Sequence, residues 1–323
     1  MNFWKQLPQP FFVLAPMADV TDAAFRMLFA KYSKIPGGRL DVLYTEFVSA
    51  DGLFRGGFDA LEPDLWYTDA ERPIVAQFFS RDTDLMKRAS ELAVERGFDG
   101  IDINMGCPDK NVCKQGAGAA MIRDPEHAQQ VIYAAMEGAG ELPVSIKTRI
   151  GYTANELETW LPALLETKPA TIILHARTKR QMSKVPADWS VIKRAVELRD
   201  ALAPDILIVG NGDVSSMKEA RARVHEAGCD GVMIARGAFG APWFFREEYE
   251  PTLRERLEIA LEHILLYEEV YKGEKPFHIM KKHLKAYAQG FDGAKELRVQ
   301  LLNTEEPQEA VQILKHFLDN LEK

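Results

Sequence analysis

Two of the three cysteines in this 323-residue chain stand in "IDINMGCPDKNVCKQGAGAA", Ile101 to Ala120, where an apolar run gives way to a glycine-rich segment. Cys107 follows a glycine and precedes Pro108. A thiol at the end of a buried strand can serve as a nucleophile or as a proton donor. Metal binding fits poorly, because Cys113 lies six residues on and the segment holds no histidine. Cys229, in "AGCDGV", reads as a small buried hydrophobe, the usual state of a free cysteine. Three cysteines make neither a disulfide framework nor a zinc cluster.

Other polar residues close other apolar runs: Met17 and Asp19, Glu46, Gln77, Asn104, Lys147 with Arg149, His175 with Arg177, Asn211 with Asp213, and Arg236. Core packing does not account for them, since an unpaired buried polar group costs about 1–3 kcal/mol. "VGNGDVSS" and "MIARGAFGAPWF" place small residues where backbone N–H groups can approach an anion, and together they read as a phosphate site. Beside such a site, Lys147 suits a cation over the N1/C2 edge of a flavin, where negative charge gathers on reduction. Gln77 then suits the pyrimidine edge of the same ring.

Eight short apolar runs must position these groups: "FFVLAPM" from Phe11, "VLYTEFV" from Val42, "PIVAQFF" from Pro73, "GIDINMG" from Gly100, "PVSIKTR" from Pro143, "TIILHAR" from Thr171, "ILIVGNG" from Ile206 and "GVMIARG" from Gly231. Nearly continuous apolar runs are what parallel strands covered on both faces look like. Between them the pattern predicts helices over Thr83 to Arg96, Pro125 to Glu137, Glu156 to Glu166, Trp189 to Arg199 and Ser215 to Glu226, several opened by aspartate or serine. The expectation is a (β/α)8 TIM barrel, whose working residues lie at the C-terminal strand ends. Beyond Gly240 the chain turns helical, with leucines at three and four residue spacing in "LRERLEIALEHILLYEEVY" and "EEPQEAVQILKHFLDNLEK". We expect a catalytic barrel over 1–250 and an all-helical domain over 251–323.

Apolar residues at 46% and charged residues at 27% describe an ordinary globular chain without low-complexity segments. The N-terminus carries no signal-peptide pattern and no run approaches a membrane span, so the expected location is cytoplasmic. A net charge of −8 argues against a surface that grips nucleic acid everywhere. Two patches concentrate positive charge all the same, "RTKRQMSK" from Arg177 and "HIMKKHLKAYAQGFDGAK" from His278.

With these residues in place the chain resembles the bacterial tRNA-dihydrouridine synthases. The resemblance is carried by "LAPMADVTDAAFR", "TEFVSADGL", "DINMGCPDKNVCKQGAGAA", "VSIKTRIGY", "LHARTK", "GNGDV" and "MIARGAFGAPWFF", in that family's order, and by the tail segment "KKHLKAY". It implies an FMN enzyme that uses NADPH to reduce the 5,6 double bond of selected uridines in tRNA, with no obligate protein partner. The family's FMN contacts fall on Pro16, Met17, Ala18, Gln77, Lys147, His175, Asn211, Gly212, Asp213, Ala235 and Arg236. Its catalytic cysteine falls on Cys107 and its uracil-contacting asparagine on Asn104, while Arg177, Lys281 and Lys282 are expected to meet the RNA. Hydride would reach uracil C6, a proton from Cys107 would reach C5, and the loop of glycines and lysines beyond Cys107 would close over the extruded base. Asp19, Ala176 and Ala235 stand where the motif usually has glycine. Two other readings remain, an FMN-dependent small-molecule ene reductase or dihydroorotate-type dehydrogenase, and a tRNA-binding protein without catalysis.

Overall fold

The computed structural model describes residues 2–321. Its strands are β1 (Phe11–Leu14), β2 (Leu43–Ser49), β3 (Ile74–Phe79), β4 (Gly100–Met105), β5 (Val144–Arg149), β6 (Thr171–His175), β7 (Leu207–Asn211) and β8 (Gly231–Ile234). All pair in parallel, in the order β1-β8-β7-β6-β5-β4-β3-β2. A parallel bridge from Val13 to Val42 closes the ring, supported by Leu14 N–H donating to the Val42 carbonyl at 3.2 Å and Asp41 N–H to that of Phe12 at 2.8 Å. The result is the expected (β/α)8 barrel. β3 and β4 are buried along their whole length, which is why their sequences hardly alternate.

Trp4, Phe11, Val13, Tyr44, Val75, Ile173, Val209 and Met233 fill the lumen. The short turn Phe3–Gln6 inserts Trp4 at the N-terminal end of the strands, so the barrel is plugged below and works from above.

The predicted helices are present at Thr83–Glu95, Pro125–Ala139, Leu157–Glu166, Trp189–Leu202 and Met217–Ala227. Asp82, Asp124, Asp188 and Ser216 cap four of them by accepting backbone N–H bonds, each worth about 1 kcal/mol. Two connections differ from a regular unit. The helix Ala23–Ser33 after β1, capped by Asp22, was not anticipated, and residues 50–71 form a succession of short helical turns. The segment beyond Cys107, expected as a closing loop, is a built element. Asp109 caps a short helix, Lys110–Lys114, and a 3-10 turn over Gly118–Arg123 follows with Ala119, Met121 and Ile122 in the core.

The tail begins at a capping box between Thr252 and Glu255 and contains helices Leu253–Tyr271, Lys281–Tyr287, Ala294–Asn303 and Pro307–Asn320. Their apolar cluster takes in Ala23 and Ala24 from the first barrel helix, and the Ala23 N–H donates to Tyr271 Oη at 2.9 Å. Among the described residues no helix is long and apolar enough to cross a membrane.

Candidate active site

Strand register assembles the polar ring. Asn104 on β4 lies beside Lys147 on β5, Arg149 beside His175 on β6, and His175 beside Asn211 on β7. Three residues past Asn104, the chain turns sharply, and the Asn104 side chain makes the turn: its Oδ1 accepts the N–H of Gly106 at 3.1 Å and of Cys107 at 2.8 Å. The Cys107 carbonyl accepts from Ala119 N–H at 3.0 Å and from Cys113 Sγ at 3.5 Å. Gly118 makes this closeness possible, because a Cβ there would meet the Cys107 carbonyl oxygen at 2.9 Å and Val112 at 2.8 Å, at a φ of +59°. Burial pushes the Cys107 thiol above its ordinary value. A thiol held protonated at neutral pH is a proton donor rather than a standing nucleophile.

Asn104 is thus more heavily engaged than the sequence suggested. Its Nδ2 donates to Gln77 Oε1 at 3.0 Å, and Gln77 Nε2 donates to Asp102 Oδ2 at 2.6 Å. Lys147 Nζ lies 3.5 Å from Asn211 Oδ1, and burial, with Arg149 adding like charge, lowers its pKa to about 8. Burial among Arg149, Lys147, Arg177 and Arg236 holds His175 well below the usual histidine range, so its imidazole is neutral.

Beyond β7 and β8 a cavity of 330 Å³ is lined by His175, Arg177, Asn211, Asp213, Ala235 and Arg236 among others. Gly212, at φ +139°, and Asp213, at φ +49°, turn the backbone there. The Asp213 carboxylate accepts from Arg177 Nη2, from Ala187 N–H at 2.9 Å and from Arg236 Nη2 at 3.0 Å. Arg177 was expected at the RNA, but its side chain is buried. Its Nε also donates to the Val185 carbonyl at 2.6 Å, and its Nη1 lies 3.3 Å from His175 Nε2. These bonds tie down the loop between β6 and the next helix, a role for which a buried arginine with several fixed donors is suited.

Pro16, Met17 and Ala18 leave β1 in a tight turn, with Met17 N–H donating to Thr21 Oγ1 at 2.9 Å and the Met17 carbonyl accepting from Val20 and Thr21. Of the three positions where glycine is usual, only Asp19 has positive φ, at +52°. Its N–H donates to Glu46 Oε1 and its carboxylate lies 3.7 Å from Lys282 Nζ. Lys281 and Lys282 are half-buried on the helix Lys281–Tyr287. Ala235, at φ −119°, needs no glycine. An exposed arginine, a neutral imidazole and turned backbone at one end, with Lys147 and Gln77 further round the ring, form a donor set that fits a flavin mononucleotide.

A closed parallel barrel with its polar groups gathered at the C-terminal strand ends, and a cavity lined by arginine and turned backbone after its last two strands, has the form of a phosphate-cofactor barrel enzyme. The family model described as "Dihydrouridine synthase (Dus)" matches residues 13–322, and the chain belongs to that family. Enzymes of the family are FMN-dependent, take reducing equivalents from NADPH and act on uridine in tRNA. A Bacillus subtilis (strain 168) protein named "Probable tRNA-dihydrouridine synthase 2" is 40% identical over 99% of both chains. A Staphylococcus aureus (strain MRSA252) protein named "Probable tRNA-dihydrouridine synthase" is 39% identical over 98% of this chain and 95% of its own. Among solved structures, histamine dehydrogenase from Rhizobium sp. 4-9 superposes with a TM-score of 0.53 at 12% identity, covering 80% of this chain and 49% of that one. A 2-naphthoyl-CoA reductase complex does so with a TM-score of 0.54 at 9% identity, covering 72% and 48%. At such identities these likenesses describe the barrel alone.

Proposed function

We propose that this chain reduces the C5=C6 bond of selected uridines in tRNA to 5,6-dihydrouridine, with FMN in the barrel mouth and NADPH as its reductant. The observation that carries the reading is the Cys107 turn: a half-buried thiol whose backbone N–H is held by Asn104, on the same rim as Lys147 and the cavity beyond β8. Bound FMN supplies hydride to uracil C6. Every other requirement falls to the chain's own side chains.

Backbone N–H groups at Gly212 and Asp213, with Ala235, Arg236 and neutral His175, would hold the phosphate, and Pro16, Met17, Ala18 and Asn211 would contribute to the rest of the cofactor site. Gln77 and Lys147 would hold the pyrimidine edge. The second N–H of Asn104, together with Lys147, steadies the uracil carbonyls as charge develops, and the Cys107 Sγ–H gives its proton to C5. One hydride and one proton thus saturate the double bond. A base stacked within folded RNA cannot reach this depth, so the nucleotide must be extruded into the mouth. Lys281 and Lys282, on the tail beside Asp19, meet the phosphodiester backbone, in a salt-dependent manner. We assign residues 1–250 to the catalytic barrel and 251–323 to RNA binding, and place the protein in the cytoplasm with its substrate.

The test is Cys107→Ala. The variant should retain bound flavin and its reduction by NADPH, while dihydrouridine formation on unmodified tRNA falls by about 100-fold or more, the range of a lost general acid. Wild-type turnover in that variant would remove Cys107 from the chemistry.

A further inference from the structure

Asp102 lies on β4 two residues before Asn104, so both side chains enter the barrel from the same face of the strand. It is fully buried, in a run whose other members are apolar or engaged at the rim. Its Oδ1 accepts from Ser145 Oγ at 2.6 Å and its Oδ2 from Gln77 Nε2 at 2.6 Å. The Gln77 Oε1 accepts from Asn104 Nδ2, and the Asn104 Oδ1 accepts from the backbone of Gly106 and Cys107.

This chain has only one sense. Backbone N–H groups can only donate, which turns the Asn104 oxygen toward Cys107 and its nitrogen toward Gln77. That in turn places the Gln77 nitrogen against Asp102, and an ionised carboxylate can only accept. Both ends therefore demand the same orientation of both amides. Burial pushes the Asp102 carboxyl up to about 6, which leaves the carboxylate, with a donor at each oxygen, as the main form at neutral pH.

We propose that Asp102 is a positioning residue for Cys107: it anchors the far end of a one-way hydrogen-bond chain that orients Gln77 and Asn104 and thereby holds the thiol-bearing turn. The inference rests on Cys107 being the proton donor of the proposed reaction. Without the carboxylate the Gln77 amide loses its fixed orientation, Asn104 loses a partner, and the Cys107 backbone is held by fewer bonds. The thiol then spends less time where it can reach C5, an error of position rather than of acidity.

The experiment compares Asp102→Ala and Asp102→Asn in the full-length, flavin-loaded chain. Cys107 alkylation by iodoacetamide is followed by peptide mass spectrometry, beside kcat and KM on unmodified tRNA. For Asp102→Ala we expect faster Cys107 alkylation and a kcat lowered by about 10- to 100-fold, with KM unchanged, as for a misplaced reacting group. Asp102→Asn keeps an acceptor toward Gln77 and a donor toward Ser145, and should restore both readouts. If the alanine variant fails to fold, Asp102→Ser carries the same expectation, since its hydroxyl is too short to span Ser145 and Gln77. A folded variant with a lower melting temperature but wild-type alkylation and kcat would overturn the proposal. If instead Cys107→Ala turns over normally, the proton-donor reading fails, while the alkylation comparison still decides whether Asp102 holds the turn.

Discussion

Lys275, in the connection after the first tail helix, places its ammonium 2.7 Å from Glu46, midway along β2, and 2.5 Å from Asp64. The other Glu46 oxygen accepts the Asp19 N–H, so one carboxylate joins the tail to the turn that leaves β1. All three charged groups are largely buried, which raises the cost of removing any one of them.

Lys275→Met should therefore lower stability by about 3–5 kcal/mol at pH 8, the range for breaking one side of a buried pair. The loss should shrink on acidification. Burial already pushes the Glu46 carboxyl up to about 7, above its ordinary 4.5, so the folded state takes up a proton before the unfolded one and gains stability as the pH falls. Chemical denaturation of variant and wild type at pH 8 and pH 6 checks this. An equal gap at both values would mean that Glu46 is not left as the uncompensated charge.

A second buried titratable pair lies under the tail. His263 and His283 have ring centroids 4.7 Å apart against Phe25, Tyr287 Oη lies 3.3 Å from His263 Nδ1, and both Nε2 atoms are buried without a hydrogen-bond partner among the described residues. Burial lowers the His263 pKa to about 3 and holds His283 well below 6.5. The unfolded chain binds protons first, so stability is complete above about pH 6.5 and falls below it, by up to about 1.4 kcal/mol per pH unit for each histidine. Denaturation midpoints between pH 7 and pH 5 should show the slope. Replacing both with leucine should flatten it, and an unchanged slope would place the acid sensitivity elsewhere.

Arg236 is exposed and paired with Asp213 in the lining of the cavity beyond β7 and β8. Arg236→Ala should weaken FMN about 10- to 100-fold, as for a lost charge-assisted hydrogen bond, and leave riboflavin affinity unchanged. Fluorescence titration with both flavins separates the two. Equal losses would show that the arginine supports the ring rather than the phosphate.

Gly118→Ala tests the packing under the thiol. The added methyl meets the Cys107 carbonyl and Val112 at a positive φ, which costs at least about 1–2 kcal/mol in backbone strain alone. We expect a lower melting temperature and reduced dihydrouridine formation, with flavin binding retained. Wild-type turnover would show that the turn accommodates the clash without moving Cys107.

The barrel was legible because its signal is repeated: eight apolar runs, each ending in a polar residue, leave few other architectures. Helix starts were legible to within a residue or two where an aspartate marks them, as at Asp82 and Asp124. Residues 50–71 have no such period, since short turns bury isolated side chains such as Leu53 and Leu65 rather than a stripe. Strand ends gave the rim residues but not their commitments. Nothing in "LHARTK" says that Arg177 turns inward to Asp213, because that bond joins residues 36 apart in the chain. The same holds for Lys275 and Glu46, which are 229 apart. Asp102, a carboxylate inside "GIDINMG", was not among the residues singled out from the sequence, because its partners Ser145 and Gln77 come from neighbouring strands.

The cluster that spreads from the tail onto Ala23 and Ala24 bears on any attempt to redirect the enzyme by exchanging tails between relatives. A cut at Pro251 would strip cover from the helix Ala23–Ser33 and leave Glu46 and Asp64 without Lys275. The transplantable unit is accordingly a tail together with its footprint, the outer face of that helix and the acidic residues that receive the lysine. A chimera that respects the footprint should stay soluble and bind flavin, and one spliced at the sequence boundary alone should not.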